Sequence, residues 1–75
     1  MTRLPRLSGE QIVKILERMG FEQSRQRGSH VTLKKETPEG ALGCVVPMHK
    51  EVAVGTLRSI LRQAHLTIEE FESYR

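Results

Sequence analysis

The sequence is poor in the residues that build large cores and cross-links: no tryptophan, three aromatic residues of the Phe and Tyr type, and a single cysteine in 75 residues. With aromatics at 4% of the chain, a core has to come from Leu, Ile, Val and a few larger side chains. A chain this short has surface for only one small core, so residues 1–75 read as a single domain of marginal stability, and a second domain is excluded. Cys44 has no partner for an internal disulfide, and there is no C-x-x-C pair or spaced Cys/His set of the kind a closed zinc site needs. No glycine-rich phosphate loop and no paired-carboxylate site stands out either. Neither a metal nor a cofactor is expected, and a lone thiol fits a reducing cytoplasm. No run of about 18 apolar residues is present to span a membrane. Met1 to Leu7 contains Arg3, Pro5 and Arg6 and lacks the apolar stretch of a secretory signal.

The formal net charge of +3 is weak evidence by itself, because many proteins that touch no nucleic acid carry as much. Its distribution says more. Arg25, Arg27, Lys34 and Lys35 fall within eleven residues that contain no acid, whereas Glu69, Glu70 and Glu72 crowd the last ten. The middle of the chain is the cationic part.

Ser8-Gly9-Glu10-Gln11 has the form of a capping box, followed by Ile12, Ile15, Leu16 and Met19 on one helical stripe and by Gly20 as a helix stop. The spacing predicts a helix over 8–19. The polar stretch 21–27 reads as a half-exposed strand ending at Gly28-Ser29. Residues 30–35 alternate, with Val31 and Leu33 toward the core and His30, Thr32 and Lys34 on the opposite face. Thr37-Pro38-Glu39-Gly40 is a turn signal, and 42–46 forms a third strand closed by Pro47. Leu57, Ile60, Leu61 and Ala64 define a second amphipathic helix over 54–64, and Thr67 with Glu70 caps a short third over 68–73. The order α-β-β-β-α-α predicts a two-layer α+β domain with a three-stranded antiparallel sheet and helices on one face. Function is then left to the open sheet face, the loops and the helix surfaces.

Gly28-Ser29-His30 is the most suggestive cluster, because it sets an imidazole at the start of a strand, on the open face, among Arg25, Arg27 and Lys34. RNA carries its own nucleophile in the 2′-OH. Cutting it without metal needs mainly a group to take that proton and cations to stabilise the phosphorus oxygens, and histidine titrates near neutrality. The bland alternative is a surface histidine beside a turn, with the cations a solvated face. His49, after Pro47-Met48, either approaches the same site or lies in an exposed loop, the loop being the ordinary reading. His65 is accounted for by the C-terminal end of the second helix, and Cys44 by the apolar face of the third strand.

Met19-Gly20-Phe21, then Arg25-Gln26-Arg27-Gly28-Ser29-His30, then Val45-Val46-Pro47 with His49, then residues 55–64 (GTLRSILRQA), together resemble the HicA (YcfA-like) mRNA interferase toxins over residues 8–72. The resemblance implies a fold like the double-stranded RNA-binding domain. It also implies a toxin of a type II toxin–antitoxin system, a ribosome-independent endoribonuclease that cleaves mRNA and is covered by a HicB antitoxin. The family's Gly-Ser-His motif carries its catalytic histidine, which corresponds to His30. Arg25, Arg27, Gly28, Ser29, Lys34 and Lys35 are then the candidate RNA contacts. Two departures stand out: Val31 where many members have a second histidine, and His65 where many have glycine. Neither touches the motif histidine, so activity is expected to survive.

Two other readings compete with the enzyme. A non-catalytic double-stranded RNA-binding module would bind by shape and phosphate contacts without cutting, but the start of its last helix is usually lysine-rich, and here it is Val52-Ala53-Val54-Gly55-Thr56-Leu57. A pure protein-interaction domain would use the same open face for an acidic partner.

Overall fold

The computed structural model describes Leu4 and residues 6–75. Most of the N-terminal stretch read for a signal, including Arg3 and Pro5, lies outside the described residues. Ser8 opens α1 (Gly9–Arg18): its hydroxyl accepts from the Gln11 N–H at 3.1 Å and the Gln11 side chain accepts from the Ser8 N–H at 2.9 Å. Two orphan donors are thereby satisfied, as the capping-box spacing requires. The helix stops at Met19 in a Schellman motif, with the Phe21 N–H on the Leu16 carbonyl at 3.0 Å and Gly20 at φ 101°.

Three antiparallel strands follow, β1 (Glu22–Arg27), β2 (His30–Thr37) and β3 (Gly40–Pro47), ordered β1-β2-β3. The second and third are longer than their apolar alternation (30–35 and 42–46), because Thr37 pairs with Gly40 directly across the Pro38-Glu39 loop. Gly40 supports that tight turn at φ 126°, a conformation that L side chains rarely adopt. Val31, Leu33, Cys44 and Val46 point to one side of the sheet, where they are buried with Ile12 and Leu16 of α1 and with Leu57, Ile60 and Leu61 of α2 (Val54–Gln63). Burial pushes the Cys44 thiol up to about 11, so little thiolate forms at neutral pH and the residue serves as a small hydrophobe.

A short α3 (Ile68–Ser73) closes the core with the fully buried Phe71. Its capping box is formed by Thr67 and Glu70. Hydrogen bonds from the Thr67 backbone and then its side chain hold the Glu70 carboxyl below its ordinary value. Because the shift is downward, this contribution to stability is present at neutral pH and is lost as pH falls below the usual carboxylate range. The architecture is α+β, with an open three-stranded antiparallel sheet flanked by helices in an α-β-β-β-α layout like that of double-stranded RNA-binding domains. Among the described residues no helix is long and apolar enough to cross a membrane.

The end of α2 repeats the Schellman geometry of α1 with a different residue at the left-handed position. The Leu66 N–H reaches the Leu61 carbonyl at 2.9 Å, the His65 N–H reaches that of Arg62 at 3.2 Å, and His65 sits at φ 55°. A residue with a Cβ is disfavoured there by roughly 1–2 kcal/mol. After the extra freedom that glycine gains in the unfolded chain, His65→Gly is expected to stabilise the fold by roughly 0.5–1 kcal/mol. Urea titration checks this; a lower midpoint in the variant would mean that the imidazole stabilises the helix end by more than the strain costs.

Candidate active site

The face presented by β1 depends on a single irregularity. Gln23 pairs with Leu33 while Arg25 pairs with Thr32, so Ser24 is an extra residue, a β-bulge, whose hydroxyl donates to the Thr32 carbonyl at 3.4 Å. Before the bulge, Phe21 is buried and Gln23 donates to Glu17 of α1, which fixes their side of the strand as the helix side. Strict alternation would then send Arg25 and Arg27 to the helices as well. The bulge shifts the phase by one, and both arginines share the open face with Thr32 and His30, their partners across the ladder.

His30 opens β2 directly after Gly28 (φ 58°) and Ser29, where the two-residue turn returns the chain. It pairs with Arg27 on one side and Pro47 on the other, and its side chain is exposed. The Ser29 hydroxyl lies 3.5 Å from His30 Nδ1. Lys34 lies on the same face, two positions beyond Thr32, and is exposed. Arg25, Arg27, His30 and Lys34 are therefore brought together on one open surface, with Gly28 and Ser29 at its rim.

Lys35 is placed differently from the other candidates. It is half-buried on the helix side, where its ammonium donates to the Met19 carbonyl at 2.8 Å at the end of α1 and lies 5.8 Å from the centre of the Phe21 ring. Its charge complements the C-terminal end of a helix. It does not join the open-face cluster.

His49 is both in a loop and at the site. The Met48 N–H donates to the Ser29 carbonyl at 2.6 Å, and the His49 carbonyl accepts from the Gly9 N–H at 2.9 Å. These bonds tie the segment after β3 to the β1–β2 turn and to the first residue of α1. The His49 ring lies edge-to-face with that of His30, centroids 6.5 Å apart at 77°. Ser8, Glu10, Met48, His49 and Lys50 line a shallow hollow of about 200 Å³ beside it. Two larger hollows, of about 260 and 520 Å³, have no histidine in their walls.

Residues 9–66 match the family model described as HicA toxin of bacterial toxin-antitoxin. The chain belongs to the HicA toxin family. No curated protein matches it. Family membership makes this HicA protein the toxin of a toxin–antitoxin pair, and an antitoxin is its expected partner. The matched stretch contains every residue of the open-face cluster, His49 and the whole of α2. It ends at Leu66, the last residue of the motif that stops α2, so α3 lies outside it.

Proposed function

We propose that this HicA toxin is a metal-independent endoribonuclease that cleaves mRNA and so blocks translation, with His30 as a general acid or base. The observation that carries the reading is an exposed imidazole on the open sheet face, with Arg27 across the ladder and Arg25 and Lys34 on the same face, in a chain of the toxin family. Arginines there stabilise charge developing on the phosphorus oxygens while the imidazole moves a proton. The substrate 2′-OH supplies the nucleophile, so the products carry a 2′,3′-cyclic phosphate and a 5′-OH. A HicB-type antitoxin inhibits by covering this same face, in the cytoplasm.

The test is incubation of a purified, ribosome-free transcript with the toxin in EDTA, followed by analysis of the new ends. Cyclic phosphate ends are expected; ordinary 3′-OH and 5′-phosphate ends formed only with added metal would overturn the mechanism. Binding without cutting would favour a passive double-stranded RNA-binding module. The first turn of α2, Val54-Gly55-Thr56, supplies no lysine for that role.

The bulge makes the arginines' part separately testable. Arg25→Gln with Arg27→Gln is expected to weaken RNA binding and to flatten the dependence of log K on log salt by roughly 1.4 units, about 0.7 per single-strand phosphate contact. Adding Gln26→Arg, on the helix side of the strand, should not restore the slope. Full restoration would mean that the cation count matters and the face does not.

A further inference from the structure

The clamp on residues 48–49 serves the fold, because it satisfies an orphan donor at the start of α1 and seats Met48 against the core, and it also decides where His49 stands. Both histidine rings are exposed, and the hydrogen bonds that hold the segment come from two different elements, the β1–β2 turn and the start of α1. They bring the backbone of His49 beside His30, and the two imidazoles stand 6.5 Å apart between centroids, too far for a bond between the rings. It is close to the spacing that one phosphodiester would fill, since two hydrogen bonds of about 2.8 Å to two oxygens of one phosphate leave the rings roughly 6–8 Å apart. The charged neighbours are Arg27 across the ladder from His30, and Lys50 and Glu10 around the hollow beside His49.

We infer that His49 is the second acid–base group of this site, acting with His30 on a single phosphodiester; the inference rests on the ribonuclease reading above. As the 2′ oxygen bonds to phosphorus, one neutral imidazole takes the 2′-OH proton. As the bond from phosphorus to the 5′ oxygen breaks, the other ring, protonated, gives its proton to that oxygen. The products are a 2′,3′-cyclic phosphate and a 5′-OH, and the net change in the protein is one proton moved from ring to ring, reset by exchange with water.

The experiment compares wild type, His30→Ala, His49→Ala and His49→Asn on an RNA oligonucleotide containing the mapped cut site, and on the same oligonucleotide with sulfur in place of the bridging 5′ oxygen. A thiolate leaves without a proton, so the acid is needed only for the oxygen substrate. On the oxygen substrate each variant is expected to lose about 10²–10⁴-fold in kcat, the usual worth of one acid or base. On the sulfur substrate only one of the two alanine variants should regain most of its rate, and that one lacks the acid. Far-UV circular dichroism and melting confirm that His49→Ala, a change at an exposed side chain, remains folded. A His49→Ala rate within threefold of wild type, a loss confined to KM, or rescue of neither variant by sulfur overturns the inference and leaves the ribonuclease reading standing. A wild type that cuts no RNA removes both.

Discussion

Replacing His30 with alanine is expected to lower cleavage of a ribosome-free transcript by about 10²–10⁴-fold while leaving RNA affinity within a few-fold of wild type. The separation follows from what the side chain touches. Its ring is exposed, its polar neighbour is the Ser29 hydroxyl at 3.5 Å, and its place in the sheet is held by backbone pairing with Arg27 and Pro47, which alanine preserves. No cavity opens and no buried partner is orphaned, so stability should change by no more than about 0.5 kcal/mol. On the proposed reading phosphate attraction comes from the arginines and lysine around it, and it is expected to persist. In cells, toxicity disappears while capture by an antitoxin survives, because covering a cationic face does not need the proton-transfer group. A His30→Ala protein that cuts RNA at the wild-type rate would place the chemistry elsewhere; one that fails to bind RNA would make His30 a contact and not a catalyst.

Local chemistry wrote most of this fold into the sequence. Both capping boxes, the glycine stop of α1 and the Pro38-Glu39 turn act over four to six residues, and each forms as its spacing requires. The position of His49 was also legible. A two-residue loop puts Thr37 opposite Gly40, and counting back along the hairpin puts His30 opposite Pro47, two residues before His49. Putting the loop reading of His49 ahead of an approach to the site overlooked that register. The bulge at Ser24 had no such signal, because Glu22 to Arg27 is polar throughout and nothing in its composition marks where the phase changes. It is set by two anchors at a distance, Phe21 in the core and the Gly28-Ser29 turn, whose spacing is one residue too long for strict alternation. Lys35 was misleading for a different reason: grouping it by charge set aside the alternation that already separated it from Lys34. Its neighbours in sequence are cationic and open to solvent, but strand alternation turns it toward the end of α1.

Gly9→Ala is expected to destabilise the protein by about 2 kcal/mol or more, although alanine is the better helix former by up to about 1 kcal/mol. The obstacle is space and not conformation. A Cβ at position 9 would overlap the Pro47 carbonyl oxygen and lie 2.8 Å from Met48 Cα, both backbone atoms that cannot swing aside. Relief requires moving α1 away from the end of β3, which stretches the hydrogen bond from the Gly9 N–H to the His49 carbonyl. In a chain of this length each kcal/mol is worth roughly 4–8 °C in Tm, so the melting point should fall by about 10 °C or more. The folded fraction should also cut RNA more slowly than its abundance explains, since residues 47–49 carry His49 toward His30 and are the atoms displaced. Gly55→Ala supplies the contrast: position 55 lies in the first turn of α2 with open space beyond it, and the same substitution there should be neutral or stabilising by up to about 1 kcal/mol. Equal melting points for the two variants would show that α1 and the end of β3 do not approach as closely as their backbones are placed. A Gly9→Ala protein that is destabilised but fully active per folded molecule would separate the packing of this junction from the chemistry on the open face.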